Sequence, residues 1–348
     1  MLGHYSLEEY SRGRILYKGL KKNNVDVQIF LPKGKFKYFK IAKRILKKNY
    51  DVIIATGVTT LFVVKVITKI FNIKKQIIFD AFISNYDTLV FDRKLVKKDS
   101  LKAKLLWLFD KYSCELADKA IVDTHEDREY FINEFSLKKE KFYVIPIGAD
   151  DELFYPMEKN KREEDKEFNV TFVGNFIPLQ GVEHIVKAAK FLENENIKFN
   201  LIGSGQTFNE MQKLSQKLGV RNIKFLGFKP IEKIPSFIAN ADICLGIFGI
   251  TDKAKRVIPN KVYEAIAMKK PLITGNTPAI RRFFRDKENC ILCEIGNPTA
   301  IANAILLLKN NPNLREKIAE EGYKLFKENF CNDVIGKKLK MYIQNIPQ

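Results

Sequence analysis

The feature that most restricts what this chain can fold into is the regular return of short β-branched or aromatic runs, each followed by a stretch with helical spacing. In the second half the runs are FNVTFV (168–173), KFNLI (198–202), IKFL (223–226), DICLGI (242–247), PLIT (271–274) and CILCEI (290–295). Helical stretches fall over 181–193, 206–218, 231–240, 260–269, 278–285 and 298–309. Each unit of run and intervening stretch has about the length of a right-handed βαβ crossover. The pattern predicts a parallel, doubly wound sheet.

The first half repeats the arrangement with strands expected near 25–30, 51–55, 76–80, 119–123 and 142–145. Its opening departs from it. A helix is expected to begin by residue 7, so MLGHY supplies only a remnant of a first strand, and either that edge is shortened or the start is late. Between the halves, IPIGADDELFYPMEKNKREEDKEFN carries prolines, glycine and dense mixed charge, as linkers do. The expected organisation is an α/β protein with two facing Rossmann-like domains and a central cleft. Residues 1–146 form the first domain, 147–167 the linker, 168–330 the second domain and 331–348 a C-terminal helix. In open parallel sheets, ligands bind beyond the carboxyl ends of the strands, so the site is expected on those loops.

With 348 residues, 46% of them hydrophobic, the chain can bury two cores. No apolar run approaches the roughly 18 residues of a membrane span, and MLGHYSLEEYSRGR lacks an apolar signal core, so a cytoplasmic, non-integral protein is expected. Five cysteines argue against a disulfide framework. Cys290 and Cys293 form a Cys-x-x-Cys in an apolar stretch with neither a second pair nor a nearby histidine, which reads as buried structural thiols rather than a zinc or redox site.

The net charge of +19 is unevenly spread: residues 1–146 hold 29 Lys/Arg against 17 Asp/Glu, or +12. Eight bases and no acid fall in KGKFKYFKIAKRILKK (33–48). On a helix, Tyr38, Ile41, Ala42, Ile45 and Leu46 share one face, with Lys37, Lys40, Lys43, Arg44, Lys47 and Lys48 mostly off it. Such a helix suits an anionic membrane surface, and equally a surface helix docked on its own domain. Nucleic acid is not expected as a partner, because the charge comes with no recognised binding module.

Three loops follow strand ends in the second half. VGNFIPLQG (173–181) leaves a strand through Gly174 and enters a helix after Gly181, where backbone amides can approach an anion. IGSGQT (202–207) is a lone Gly-x-Gly, through Gly203 and Gly205, and by itself indicates a tight turn. In FGITDKAKRVIPNK, Pro259 suits a first helical position, and Lys253, Lys255, Arg256 and Lys261 surround that helix end with cations. Glu264 shares a face with Asn260 and Lys261. A phosphate at the helix tip leaves Glu264 about one turn, roughly 5 Å, deeper, within reach of a ribose diol. The alternative for Glu264 is a surface pair with Lys261.

In this order and spacing, VIPIGADDELFYP, VTFVGNFIPLQGVEHIVKAAKFL, FNLIGSGQ, IKFLGF, ADICLGIF and IPNKVYEAIAMKKPLIT resemble the retaining, nucleotide-sugar-dependent glycosyltransferases of family four, over residues 143–328. The resemblance implies the GT-B architecture, a nucleoside diphosphate sugar donor in the second domain, an acceptor in the first, and catalysis with no cofactor or metal. The absence of any Asp-x-Asp fits that. The donor-binding set it implies is Gly174, Asn175, Gln180, Gly181, Gly203, Gly205, Phe228, Phe248, Gly249, Pro259, Asn260, Lys261 and Glu264. Asn175 and Gln180 stand where the family usually has the arginine and lysine that hold the diphosphate, and Arg256 stands where it has the first of two glutamates. Arg256 and Lys261 are therefore expected to hold the diphosphate and stabilise the leaving charge.

In the first half, Asp80 falls where relatives often carry a histidine near the reacting carbon, and it is taken as the third catalytic candidate. Ser84, Tyr86 and Asp87, from IIFDAFISNYDT (77–88), are expected to line the acceptor mouth, with a capped turn as the alternative. Arg12 and Arg14 begin a helix, where cations oppose the dipole; that tension favours an anionic partner and places Arg12 on the acceptor side. His4, His125 and His184 receive no catalytic role, His184 lying off the apolar face of its helix. The expected activity is transfer of a sugar with retained configuration to a glycan or lipid-linked acceptor, with peripheral docking on the membrane. A nucleotide-sugar epimerase or a non-catalytic nucleotide-sugar-binding partner remain alternatives.

Overall fold

The computed structural model describes residues 1, 10–32, 34–47, 50–159 and 167–345. The expected helix start by residue 7, His4, Lys33, Lys48 and the middle of the linker lie outside them. The chain divides into two compact units, Met1–Pro146 with Asn332–Gln348, and Ile147–Cys331.

In the first unit, strands β1 (Val52–Thr56), β2 (Gln76–Asp80), β3 (Lys119–Val122) and β4 (Phe142–Val144) lie parallel in the order β1-β2-β3-β4. Their registers run Val52 to Gln76, Ile78 to Lys119 and Ala120 to Phe142. Helices α1 (Ser11–Lys22) and α2 (Lys37–Leu46) precede the sheet, and α3 (Val58–Ile70), α4 (Leu101–Leu116) and α5 (His125–Phe135) are its crossovers. Ser100 caps α4 by accepting from the Ala103 amide, and Thr124 caps α5, whose first turn holds Glu126 and Asp127.

The strand expected over 25–30 does not form in the described residues. The Phe30 amide donates to the Met1 carbonyl at 2.9 Å and the Met1 amine to the Gln28 carbonyl at 2.7 Å, and no ladder reaches β1. A cavity of about 390 Å³, lined by Val27, Gln28, Phe30, Tyr50 and Val52, occupies the space beside β1 instead. The apolar stripe of α2 is also assigned differently from its membrane reading: Ile41 and Ile45 are buried in the unit's own core. That leaves Phe36 and Phe39 facing out.

In the second unit, strands β5 (Phe168–Val173), β6 (Ile197–Ile202), β7 (Ile223–Gly227), β8 (Ile243–Leu245), β9 (Leu272–Gly275) and β10 (Ile291–Cys293) are parallel in the order β10-β9-β8-β5-β6-β7. Helices α6 (Val182–Phe191), α7 (Phe208–Lys217), α8 (Ile234–Ala239), α9 (Asp252–Arg256), α10 (Asn260–Ala267), α11 (Pro278–Arg281), α12 (Pro298–Asn310) and α13 (Pro312–Asn329) connect and flank them. The core joins Val170, Phe172, Phe199, Leu201 and Leu245 of the strands to Ile185, Val186, Ile301 and Ile305 of α6 and α12. All five cysteines are free and buried, and burial pushes the Cys293 thiol up to about 12. None of the helices in the described residues is long and apolar enough to cross a membrane.

The ends of the expected linker and the C-terminal helix belong elsewhere. Residues from Ile147 pack into the second unit, where Ile147, Ala149 and Phe154 are buried and the Ala149 amide donates to the Phe330 carbonyl at 3.2 Å. Helix α14 (Asn332–Gln344) is part of the first unit, packed along α1. Gly19 and Gly336 make this possible: a Cβ on Gly336 would collide with the Gly19 backbone, so the two helices touch backbone to backbone. Tyr342 stacks on Tyr143 at 4.2 Å between ring centroids, and Lys340 donates to the Asn23 carbonyl at 2.8 Å.

Candidate functional site

The loops expected to take the donor converge at the carboxyl ends of β5, β6 and β8. The Gly174 amide donates to the Ile202 carbonyl, the Phe176 amide to the Ser204 carbonyl and the Gly203 amide to the Gly227 carbonyl, each at 2.9 Å, so the turns after β5, β6 and β7 are laced together. Phe228 follows Gly227 and exposes its ring. Gly181 sits at φ +64° with its Cα against the Gly249 and Phe248 backbone, where any side chain would collide. The Phe248 amide donates to the Gln180 carbonyl at 3.1 Å. Phe248 itself is a correction to the expected donor set: its ring is fully buried in the core, leaving only its backbone at the loop.

Pro259 is the cap of α10 rather than its first residue, with φ −75° and ψ 157°. Its carbonyl accepts from the Val262 amide at 3.0 Å, and the helix starts at Asn260 with its leading amides directed out of the end. Lys261 turns inward. Its ammonium donates to the Gln180 side-chain carbonyl, fills the space a Cβ on Gly174 would need, and lies 4.2 Å from the centre of the Phe172 ring. Burial lowers its pKa to about 7, against the opposing pull of Glu264, which is also buried one turn further along α10. Helix α9 sets the remaining cations beside this loop: Ala254 packs on Ile177 and Leu179, and Lys255 and Arg256 occupy its last turn. Lys255 pairs with Asp252 at 2.9 Å. Asn175 is exposed on the turn after β5, beside Gly174.

The structure thus joins Gly174, Gln180, Gly181, Gly203, Gly249 and Lys261 through direct contacts, with Asn260 and Glu264 on the same helix as Lys261. The residue that sequence reasoning missed is Phe172, which alternation marks as core but whose ring face receives the buried ammonium.

In the first unit the expected acid/base and acceptor residues are engaged otherwise. Asp80, at the end of β2, accepts from Arg12 Nε at 2.8 Å and from the Tyr10 hydroxyl at 2.5 Å, with the side chains of Arg12 and Asp80 both fully buried. Arg12 Nη1 donates to the Ile145 carbonyl at 2.9 Å. Burial opposes the Arg12 charge, but Asp80, Tyr10 and Asp123 outweigh it and raise its pKa; burial and Asp80 push the Tyr10 hydroxyl well above the usual range. An aspartate holding an arginine and a tyrosine in this way is a structural counter-ion, which corrects its reading as a free acid/base, and Arg12 is enclosed rather than offered to an acceptor.

The turn that follows is capped rather than open. Ser84 donates to Asp110 at 2.7 Å, the Tyr86 amide donates to the same carboxylate at 2.8 Å, and the Asp87 amide donates to the Ser84 hydroxyl at 3.0 Å. All three are buried, at the entry to a π-helical turn over Asp87–Asp92. His184 is buried too, with Nε2 3.1 Å from Glu183 and its ring against Gly296.

The profile of the glycosyl transferases, group 1, matches residues 156–325. An uncharacterised glycosyltransferase of Methanocaldococcus jannaschii, MJ1178, is 27% identical over 235 residues, covering 67% of this chain but only 61% of that relative's length. CapM of Staphylococcus aureus, a capsular polysaccharide biosynthesis glycosyltransferase, is 22% identical over 94% of this chain and 92% of its own. Among solved structures, HepE of Anabaena, crystallised with UDP and glucose, superposes with a TM-score of 0.76 at 15% identity, with 99% of each chain covered. Sucrose-phosphate synthase of Thermosynechococcus elongatus gives 0.69 at 18% identity, over 92% of this chain and 82% of its own. Two Rossmann-like units with parallel sheets make this a GT-B fold, and residues 156–325 match the profile of the group 1 glycosyltransferases.

Proposed function

We propose that the protein is a glycosyltransferase that moves a sugar from a nucleoside diphosphate sugar to a glycan or lipid-linked acceptor, with retained configuration and no cofactor. The observation that carries the reading is the buried Lys261 ammonium, held against Gly174 and Gln180 at the mouth of α10 with Glu264 one turn deeper. A cation with a depressed pKa beside a helix N-terminus is matched to a dianionic group. In this reading the diphosphate meets the first amides of α10, Lys261 and Arg256, and Glu264 accepts both hydroxyls of the ribose. As the bond to the sugar breaks, charge grows on the departing phosphate, and these groups stabilise it in place without reorganising. The leaving phosphate takes the acceptor proton on the same face of the sugar.

Support comes from the UDP, UDP with glucose, and UDP-glucose bound in the HepE structures, and from the part that CapM takes in capsular polysaccharide synthesis. Cytoplasmic placement belongs to the same proposal. Its test is a thermal-shift screen against nucleoside diphosphate sugars, followed by measurement of free nucleoside diphosphate on adding acceptor. A ligand at a hundredfold its dissociation constant stabilises by about 2.7 kcal/mol. Stabilisation by a donor with acceptor-dependent release is the expected result; stabilisation without release under any acceptor identifies a binding protein instead.

A further inference from the structure

Helix α4 buries one side and carries an apolar stripe on the other. Ala103, Asp110, Ser113 and Cys114 turn inward, the Asp110 carboxylate accepting from the Ser84 hydroxyl and the Tyr86 amide. Nearly opposite, Leu101, Leu105, Leu108, Phe109, Tyr112 and Leu116 are all exposed. At 3.6 residues per turn these six positions fall within an arc of about 100°, an uninterrupted stripe along the whole helix. A surface helix normally carries one such stripe, and it faces the core.

The stripe continues onto its neighbours. Because β1, β2, β3 and β4 are adjacent in chain order, right-handed crossovers place α3, α4 and α5 on the same face of the sheet, and α2 packs beside α3. Phe62 of α3 meets Phe109 edge-on at 6.2 Å, and Val66 and Ile70 extend that row, Ile70 being 70% exposed. At the start of α2, its cap residue Phe36 and Phe39 are 74% and 71% exposed. Rows of exposed large apolar side chains on adjoining helices mark an interaction surface.

The charge around it selects the partner. Residues 34–116 hold 18 Lys/Arg and 7 Asp/Glu, so +11 of the first half's +12 lies on the segment that builds this layer. Beyond it, residues 117–146 hold 5 Lys/Arg and 7 Asp/Glu, and α5 carries no large exposed apolar residue. The apolar surface and the positive charge end together. A second copy of the chain would bring like charge against like charge. An anionic bilayer matches both features, taking the apolar stripe at the acyl boundary and the lysines at the headgroups.

We propose that the outward layer of α2, α3 and α4 is a docking face for an anionic lipid bilayer, with the α4 stripe inserted. The inserting residues differ from the Ile41 and Ile45 stripe legible in the sequence, which is buried, and the proposal does not depend on the donor site. All five native cysteines are buried, so Leu105→Cys can be labelled selectively with an environment-sensitive fluorophore, with exposed Asn133→Cys on α5 as the reference. The full chain is mixed with vesicles of phosphatidylcholine alone or with phosphatidylglycerol, at low and high salt. The expected result is a blue-shifted, enhanced emission at position 105 only, on phosphatidylglycerol vesicles, weakening with salt as charges more than about 8 Å apart are screened. Unlabelled protein carrying Leu101→Ser and Phe109→Ser, both solvent-facing changes, should bind those vesicles at least about tenfold more weakly with an unchanged thermal melt. A water-like emission at position 105 while the protein co-sediments with vesicles, equal binding of the double variant, or a stable dimer in sedimentation that ignores vesicles would overturn the proposal.

Discussion

Lys261 offers a sharp test of the donor site, because its charge is conditional. Burial holds its pKa at about 7 against an ordinary 10.5. At pH 8 only about one-tenth of the free protein carries the proton on Lys261. A diphosphate placed against the ammonium favours the charged form, so binding should take up about 0.9 proton per site at pH 8, and affinity should fall roughly nine- to tenfold per pH unit above it. Titrating UDP by calorimetry in two buffers of different ionisation enthalpy reads this directly, since the apparent heats differ by the protons exchanged. Lys261→Met should bind more weakly with no buffer dependence. Equal heats in both buffers for the wild type, or an uptake that survives in Lys261→Met, would refute the placement of the phosphates at Lys261. The same shift also has a stability signature. Between pH 7 and 10.5 the unfolded chain holds a proton that folded Lys261 has released, so the free protein gains stability as pH rises through that window. Below pH 7 the buried charge costs about 5 kcal/mol relative to pH 10.5; bound diphosphate should flatten this dependence.

Glu264→Gln should weaken nucleoside diphosphate binding by roughly 1.5–3 kcal/mol while leaving the melt unchanged, because an amide of the same shape replaces a charged acceptor; calorimetry on the purified variant checks it. Asp80→Asn leaves Arg12 buried without its counter-ion and should destabilise the first unit by about 3–5 kcal/mol in urea unfolding, whereas a direct catalytic role would spare stability and remove turnover. Gly336→Ala drives a methyl into the Gly19 backbone and should cost about 1–3 kcal/mol by overpacking, with UDP affinity unaltered.

What was legible in the sequence is what depends on local spacing. The six strands of the second unit and most of its helices follow from short β-branched runs and 3.6-residue periodicity, because a parallel sheet covered by helices demands continuous apolar strands. The loop glycines and Lys261 stand out in the sequence for a related reason: where backbone passes close to its neighbours few residues are acceptable, and Gly174, Gly181 and Lys261 do lie against their neighbours in this way. Charge asymmetry was equally plain from counting.

Tertiary structure decided the rest. Periodicity says that Ile41 and Ile45 share a face but not whether that face meets protein or lipid, and the core claimed it. Leu101, Leu105 and Phe109 share a face by the same periodicity, and there α4 buries its opposite side. The linker was misread at its start because prolines and mixed charge mark mobility only where no neighbour supplies contacts, and Ile147 and Phe154 have them. That α14 joins the first unit rests on the Gly19–Gly336 contact, between residues more than three hundred positions apart. The ion pair of Arg12 with Asp80 is likewise invisible until β2 and α1 are adjacent. An isolated cation at a helix start is unfavourable on its own, and only the folded chain supplies the carboxylate that balances it.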